Sequence, residues 1–126
     1  MNKLIYPIKH KEQEIIYTDW RDMKEPEAFK QAIKETSNWL VDRGEKQLLE
    51  IVDVRGASFN FDVYGELKKV AAATRDFNRR KAVVIDFSDR RLLMLRFLNS
   101  FSKDKITPFQ KLEDAKEWLV EVVQMS

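Results

Sequence analysis

Gln47–Phe59, QLLEIVDVRGASF, decides how the chain is read. Leu48, Leu49, Ile51, Val52 and Val54 make an apolar strand, Gly56, Ala57 and Ser58 a turn of small residues, and Asn60 the start of a helix. A strand that passes through a tight turn into a helix is the repeating unit of an α/β domain.

Upstream, Leu4–Ile8 and Glu14–Thr18 form an opening hairpin around the polar turn His10–Gln13. After the loop Asp19–Lys24, Pro26 sits where proline is tolerated, in the first turn of a helix. Phe29, Ala32, Ile33, Thr36 and Leu40 recur at helical spacing, and Gly44 supplies a left-handed stop. Downstream, Asn60 caps a second helix with Asp62 in its first turn and Tyr64, Leu67, Ala71 and Thr74 facing inward. Lys81–Phe87 is a strand whose apolar run suits a position covered on both faces. Ser88 or Asp89 caps a third helix that runs to Phe101. Ile106–Phe109 is a last strand, placed at an edge by Pro108. A closing helix covers Leu112–Val123, with Ala115, Trp118, Leu119 and Val122 inward. The order β-β-α-β-α-β-α-β-α predicts one domain, residues 1–126: a mixed, mostly parallel sheet of four to five strands, with an N-terminal hairpin and four flanking helices.

Composition narrows the function classes. With 44% hydrophobic and 35% charged residues, the chain reads as a globular, water-soluble domain. Its first residues, MNKLIYPIKH, lack the apolar stretch of a signal peptide, and no aliphatic run is long enough to span a bilayer, so a cytoplasmic location is expected. The absence of cysteine excludes disulfides, a thiolate nucleophile and cysteine-based zinc sites. A net charge of +2 does not by itself call for nucleic acid.

Five stretches, in order, carry a resemblance to the SpoIIAA-like branch of the STAS family, whose members are often described as STAS/SEC14-like: IIYTDW (Ile15–Trp20), DVRGASF (Asp53–Phe59), KAVV (Lys81–Val84), SFS (Ser100–Ser102) and PFQKLEDAKEWL (Pro108–Leu119). The resemblance implies a mixed sheet flanked by helices and no established catalytic activity. In regulatory STAS domains a Ser or Thr at the start of the helix after the organising strand can be phosphorylated. Here Phe59 is followed by Asn60, Phe61, Asp62 and Val63, so Ser58 is only an approximate counterpart. The chain departs again at Asp86, Ser88 and Asp89, where relatives are glycine-rich.

Three constellations have both a functional and a structural reading. Asp19, Asp53 and Asp86 fall near the ends of three strands, at the edge where open α/β sheets bind ligands. Together they suit Mg²⁺ with a phosphate; separately they suit loop caps or arginine pairing. Arg75, Arg79, Arg80, Lys81, Arg90, Arg91 and Arg96 make the middle of the chain basic, which suits an anion site or simply a solvated, ion-paired surface. No nucleic-acid motif accompanies this charge. In the third helix Leu92, Leu93, Met94, Leu95, Phe97, Leu98 and Phe101 cover about 200°, wider than the stripe of about 100° that packing on a sheet requires. The surplus suits either a neighbouring helix in the same core or a partner, a second copy or an acyl chain. His10, the only histidine, is expected in an exposed turn. The chain has no nucleophile elbow, P-loop or dinucleotide fingerprint, and Trp20, Trp39 and Trp118 read as packing residues.

The expectation is a non-enzymatic, regulatory STAS-like module without cofactor or metal that binds another protein, a second copy of itself included. The binding residues expected are Asp53, Gly56, Ser58, Phe59 and Asn60, with Arg90, Arg91, Phe97 and Phe101 of the third helix. The alternative is a carrier of a small acidic or lipid-like ligand, with an apolar pocket under the third helix and Arg90 and Arg91 receiving the acidic group. A third option is a Mg²⁺ enzyme built on the three aspartates.

Overall fold

The structure is a computed structural model that describes residues 4–45, 47–58, 60–74, 78–86 and 106–125. One sheet of five strands organises it: β1 (Ile5–His10), β2 (Gln13–Asp19), β3 (Leu48–Asp53), β4 (Asn78–Val84) and β5 (Ile106–Phe109), in spatial order β1-β2-β3-β4-β5. The first pair is antiparallel and the other three pairs are parallel. Among the described residues three helices flank the sheet: α1 (Pro26–Arg43), α2 (Phe61–Thr74) and α3 (Leu112–Met125). The expected third helix falls in residues 87–105, outside the described residues.

Local chemistry accounts for the element boundaries. Pro26 opens α1, and Gly44 closes it at φ 67° while its N–H donates to the Leu40 carbonyl. The Asn60 side chain accepts the Val63 N–H at 2.8 Å and caps α2. Lys11 and Glu12 take the β1–β2 turn, both with positive φ (49° and 68°), the backbone a tight primed hairpin turn needs. The strands therefore run closer to the turn than their side chains suggested, and His10 pairs with Gln13 inside the ladder. The His10 ring, expected in an exposed turn, instead hydrogen-bonds the Glu117 carboxylate of α3 at 2.7 Å. β4 begins at Asn78 rather than Lys81, because Leu48 and Leu49 of β3 give Asn78 and Arg80 a partner edge to pair with. Pro108 lies on edge strand β5, and the other edge strand, β1, contains Pro7.

Alternation along the strands divides the core between the two faces. On one face Trp20, Val52, Val54 and Val83 pack with Phe29, Ala32 and Ile33 of α1 and Val63 of α2. The inward stripe of α2 is Val63, Leu67 and Val70, with Tyr64 only half-buried; the side chains of Ala71 and Thr74 are outside the described set. On the other face Ile15, Tyr17, Leu49, Ile51, Ala82 and Val84 pack with Ala115, Leu119 and Val120 of α3. Each large aliphatic side chain so buried contributes roughly 1.5–3 kcal/mol. Trp118 is half-buried, its ring 5.6 Å from Phe109 and 5.8 Å from the Arg80 guanidinium. Glu50 is a polar exception inside the α1 face: it is 2% exposed, and its Oε1 lies 3.9 Å from Lys81 Nζ.

Candidate functional site

The carboxyl ends of the parallel strands bring the three expected aspartates to one edge. Asp19 and Asp53 are register partners, and Asp86 follows two residues after Val84, which is opposite Asp53. Each carboxylate has a partner. Asp19 accepts Nε and Nη2 of Arg21, each at 2.9 Å, and the Arg21 backbone N–H at 3.1 Å. Asp53 accepts Nε and Nη2 of Arg55 at 2.9 and 2.7 Å and the Tyr17 hydroxyl at 2.6 Å. Asp86 accepts the Gly56 N–H at 3.2 Å. Among the described residues no three acidic or imidazole side chains gather as a metal-binding group. The edge is built of aspartate–arginine forks.

The two forks repeat one pattern, Asp-x-Arg, as Asp19-Trp20-Arg21 and Asp53-Val54-Arg55. Period-two alternation sends the middle residue, Trp20 or Val54, into the α1–α2 core and leaves Asp and Arg on the opposite face. Sequence reading did not select Arg21, Arg55 or Tyr17: the Asp-x-Arg repeat is visible in the sequence, but its pairing needs the β2–β3 register, and nothing in that repeat points to Tyr17. The Arg21 fork holds the Asp19 carboxyl below the ordinary carboxylate range. Burial, followed by the hydrogen bond and charge of Asp53, raises the Tyr17 phenol well above its ordinary value. Arg21 and Arg55 are each held more firmly protonated by their aspartates.

Beyond Asp53 the chain turns in a way the sequence reading anticipated. Two loops run side by side, with Asp22 N–H donating to the Arg55 carbonyl and Ser58 N–H to the Met23 carbonyl. Gly56 has φ 76°, and a Cβ there would run into the Asp22 carboxylate. Ser58 and Asn60 are exposed, and Phe61, the first residue of α2, is 95% exposed. Phe59, Arg90, Arg91, Phe97 and Phe101 lie outside the described residues, as does the expected apolar pocket under the third helix. Of the basic set, Arg80 rests on Trp118 and Lys81 faces Glu50, whereas Arg75, Arg90, Arg91 and Arg96 and the Arg79 side chain are outside the described set.

Comparison with known proteins bears on the fold. Neither a family profile nor a curated protein sequence matches the chain. Among solved structures the chain is similar to an uncharacterised protein of the DUF3478 family from Shewanella loihica PV-4, whose crystal structure is described as SpoIIAA-like. The TM-score is 0.65 over 91% of each chain, at 14% sequence identity. The chain therefore has a SpoIIAA-like fold, as its five matching stretches implied. Among the described residues no helix is long and apolar enough to cross a membrane.

Proposed function

We propose that the chain is a non-enzymatic STAS-like module that binds another protein, a second copy of itself included, through the Asp53–Asn60 turn and the start of α2. The observation that carries this reading is Phe61. A phenylalanine 95% exposed at the first position of a helix gains nothing from the fold, whereas aromatic anchors contribute strongly when a partner desolvates them. Its neighbours suit the role. Ser58 and Asn60 are exposed beside it, and the turn that presents them is pinned by the Asp53–Arg55 fork, the Asp86–Gly56 bond and the Asn60 cap.

The test combines sedimentation velocity with a photo-crosslinking phenylalanine analogue at position 61. A crosslink mapped to one defined partner peptide, or to a second copy, together with weaker association in Phe61→Ser, supports the reading. A monomer that gives no crosslink and sediments unchanged in Phe61→Ser sinks it.

A further inference from the structure

The two Asp-x-Arg forks place a pair of guanidiniums on the α3 side of the sheet, at the carboxyl ends of β2 and β3. Helix α3 begins beside Phe109 at the carboxyl end of β5, and its Glu117 bonds His10 and Lys11 at the opposite end of the hairpin. It therefore slants away from the corner where Arg21 and Arg55 stand. Both guanidiniums converge on Asp53 Oδ2, with Arg55 Nη2 at 2.7 Å and Arg21 Nε at 4.0 Å. The aspartates use Nε and Nη2 of each arginine; among the described residues nothing bonds either Nη1. The Arg21 and Arg55 side chains are 48% and 33% exposed. Tyr6 is 39% exposed, and its ring lies 5.5 Å from that of Tyr17, whose hydroxyl bonds Asp53.

Stability alone does not call for charged groups at this place. A wholly buried carboxylate such as Asp53 is commonly no better for the fold than an apolar residue of similar volume. What Asp53 and Asp19 accomplish is orientation: each fixes a guanidinium in one pose with its unused N–H groups outward, so less freedom is lost when an anion arrives. The formal charges of the two forks cancel, and the Asp22 and Asp86 carboxylates lie next to them at Gly56, so an anion is held by directed N–H donors rather than by a net field. A phosphate monoester has three terminal oxygens with lone pairs to spare, so it can accept from both guanidiniums at once.

We propose that Arg21 and Arg55 form a binding site for the phosphate group of a phosphorylated compound, with Asp19, Asp53 and Tyr17 as positioning residues and Tyr6 as a flat wall for the compound's organic part. This site does not depend on the partner surface at Phe61. Phenyl phosphate, inorganic phosphate and vesicles carrying phosphatidic acid are the probes, read by arginine side-chain NMR for the first two and by cosedimentation for the third. Phenyl phosphate should shift the Nε–H signals of Arg21 and Arg55 saturably and bind more tightly than inorganic phosphate. Arg21→Lys keeps the charge but loses the fork, and should weaken binding by about tenfold or more, while Arg80→Ala leaves it unchanged. Asp19→Asn should also weaken binding; tighter binding would overturn the positioning role. Vesicle binding lost in Arg21→Lys would place the phosphate on a lipid, and binding of phenyl phosphate alone would place it on a soluble compound. Both results support the site. Absence of saturation by all three probes, or equal binding by Arg21→Lys, overturns it.

Discussion

Asp53 is a carboxylate without access to water, and its neighbours define what removing it would do. Arg55 donates to both of its oxygens and Tyr17 to one. Asp53→Asn leaves Arg55 without its counter-charge in a half-buried position and should cost about 3 kcal/mol, read by urea unfolding. Tyr17→Phe removes only the hydroxyl and should cost about 1.5 kcal/mol, as for a hydrogen bond to a charged acceptor. The pH dependence has a definite sign. The folded protein holds the Tyr17 proton more tightly than the unfolded chain does, so this contribution is complete below about pH 10 and lost as pH rises through the folded value. Asp19 acts in the opposite sense: its folded pKa is depressed, so its contribution is complete above about pH 4 and lost as pH falls through the folded value. Urea midpoints of Tyr17→Phe should therefore decline less steeply above pH 10 than those of the parent. At Gly56 the backbone decides. Gly56→Ala meets both a positive φ and the Asp22 carboxylate, and should destabilise by about 1–2 kcal/mol, again measured in urea.

Among the elements, α2 offers the cleanest measurement. Asn60→Ala removes the cap on the Val63 N–H and should cost about 1 kcal/mol without touching the core, as a shift in the urea midpoint. Strand β3 carries the buried Glu50, whose Oε2 has no hydrogen-bond partner. Replacing Glu50 and Lys81 together by Leu and Met should be neutral or raise stability by about 1–4 kcal/mol, whereas Glu50→Ala alone should lower it. Elements governed by local signals were legible in the sequence. Pro26 and Gly44 bound α1 where expected, Asn60 caps α2, and Pro108 marks an edge. Non-local effects were not legible. The β1–β2 turn falls on Lys11 and Glu12, neither a usual left-handed residue, because the pairing of the flanking strands imposes the conformation. Val63 is buried in place of Tyr64 because it is Val63 that meets Phe29, Ala32 and Ile33 of α1 in the shared core, a tertiary contact that spacing along α2 does not reveal. The aspartates of the site were visible from their place at strand ends. Their arginines were not, because only the register of β2 with β3 shows that two separate Asp-x-Arg triplets stand side by side.

For the molecule as a whole, the two outermost strands each contain a proline, Pro7 in β1 and Pro108 in β5. A proline cannot donate to an incoming backbone, so neither rim of the sheet offers an uninterrupted row of donors to a strand from another molecule. A second copy that extended the sheet would forgo a backbone bond at the proline, so docking through loops or helices is favoured. The same property disfavours fibrillar stacking when the chain is warmed or partly unfolded. Pro7→Val restores a donor on the β1 rim and raises strand propensity there, and it should hasten thioflavin-positive aggregation on mild heating while the folded structure below the transition stays unchanged.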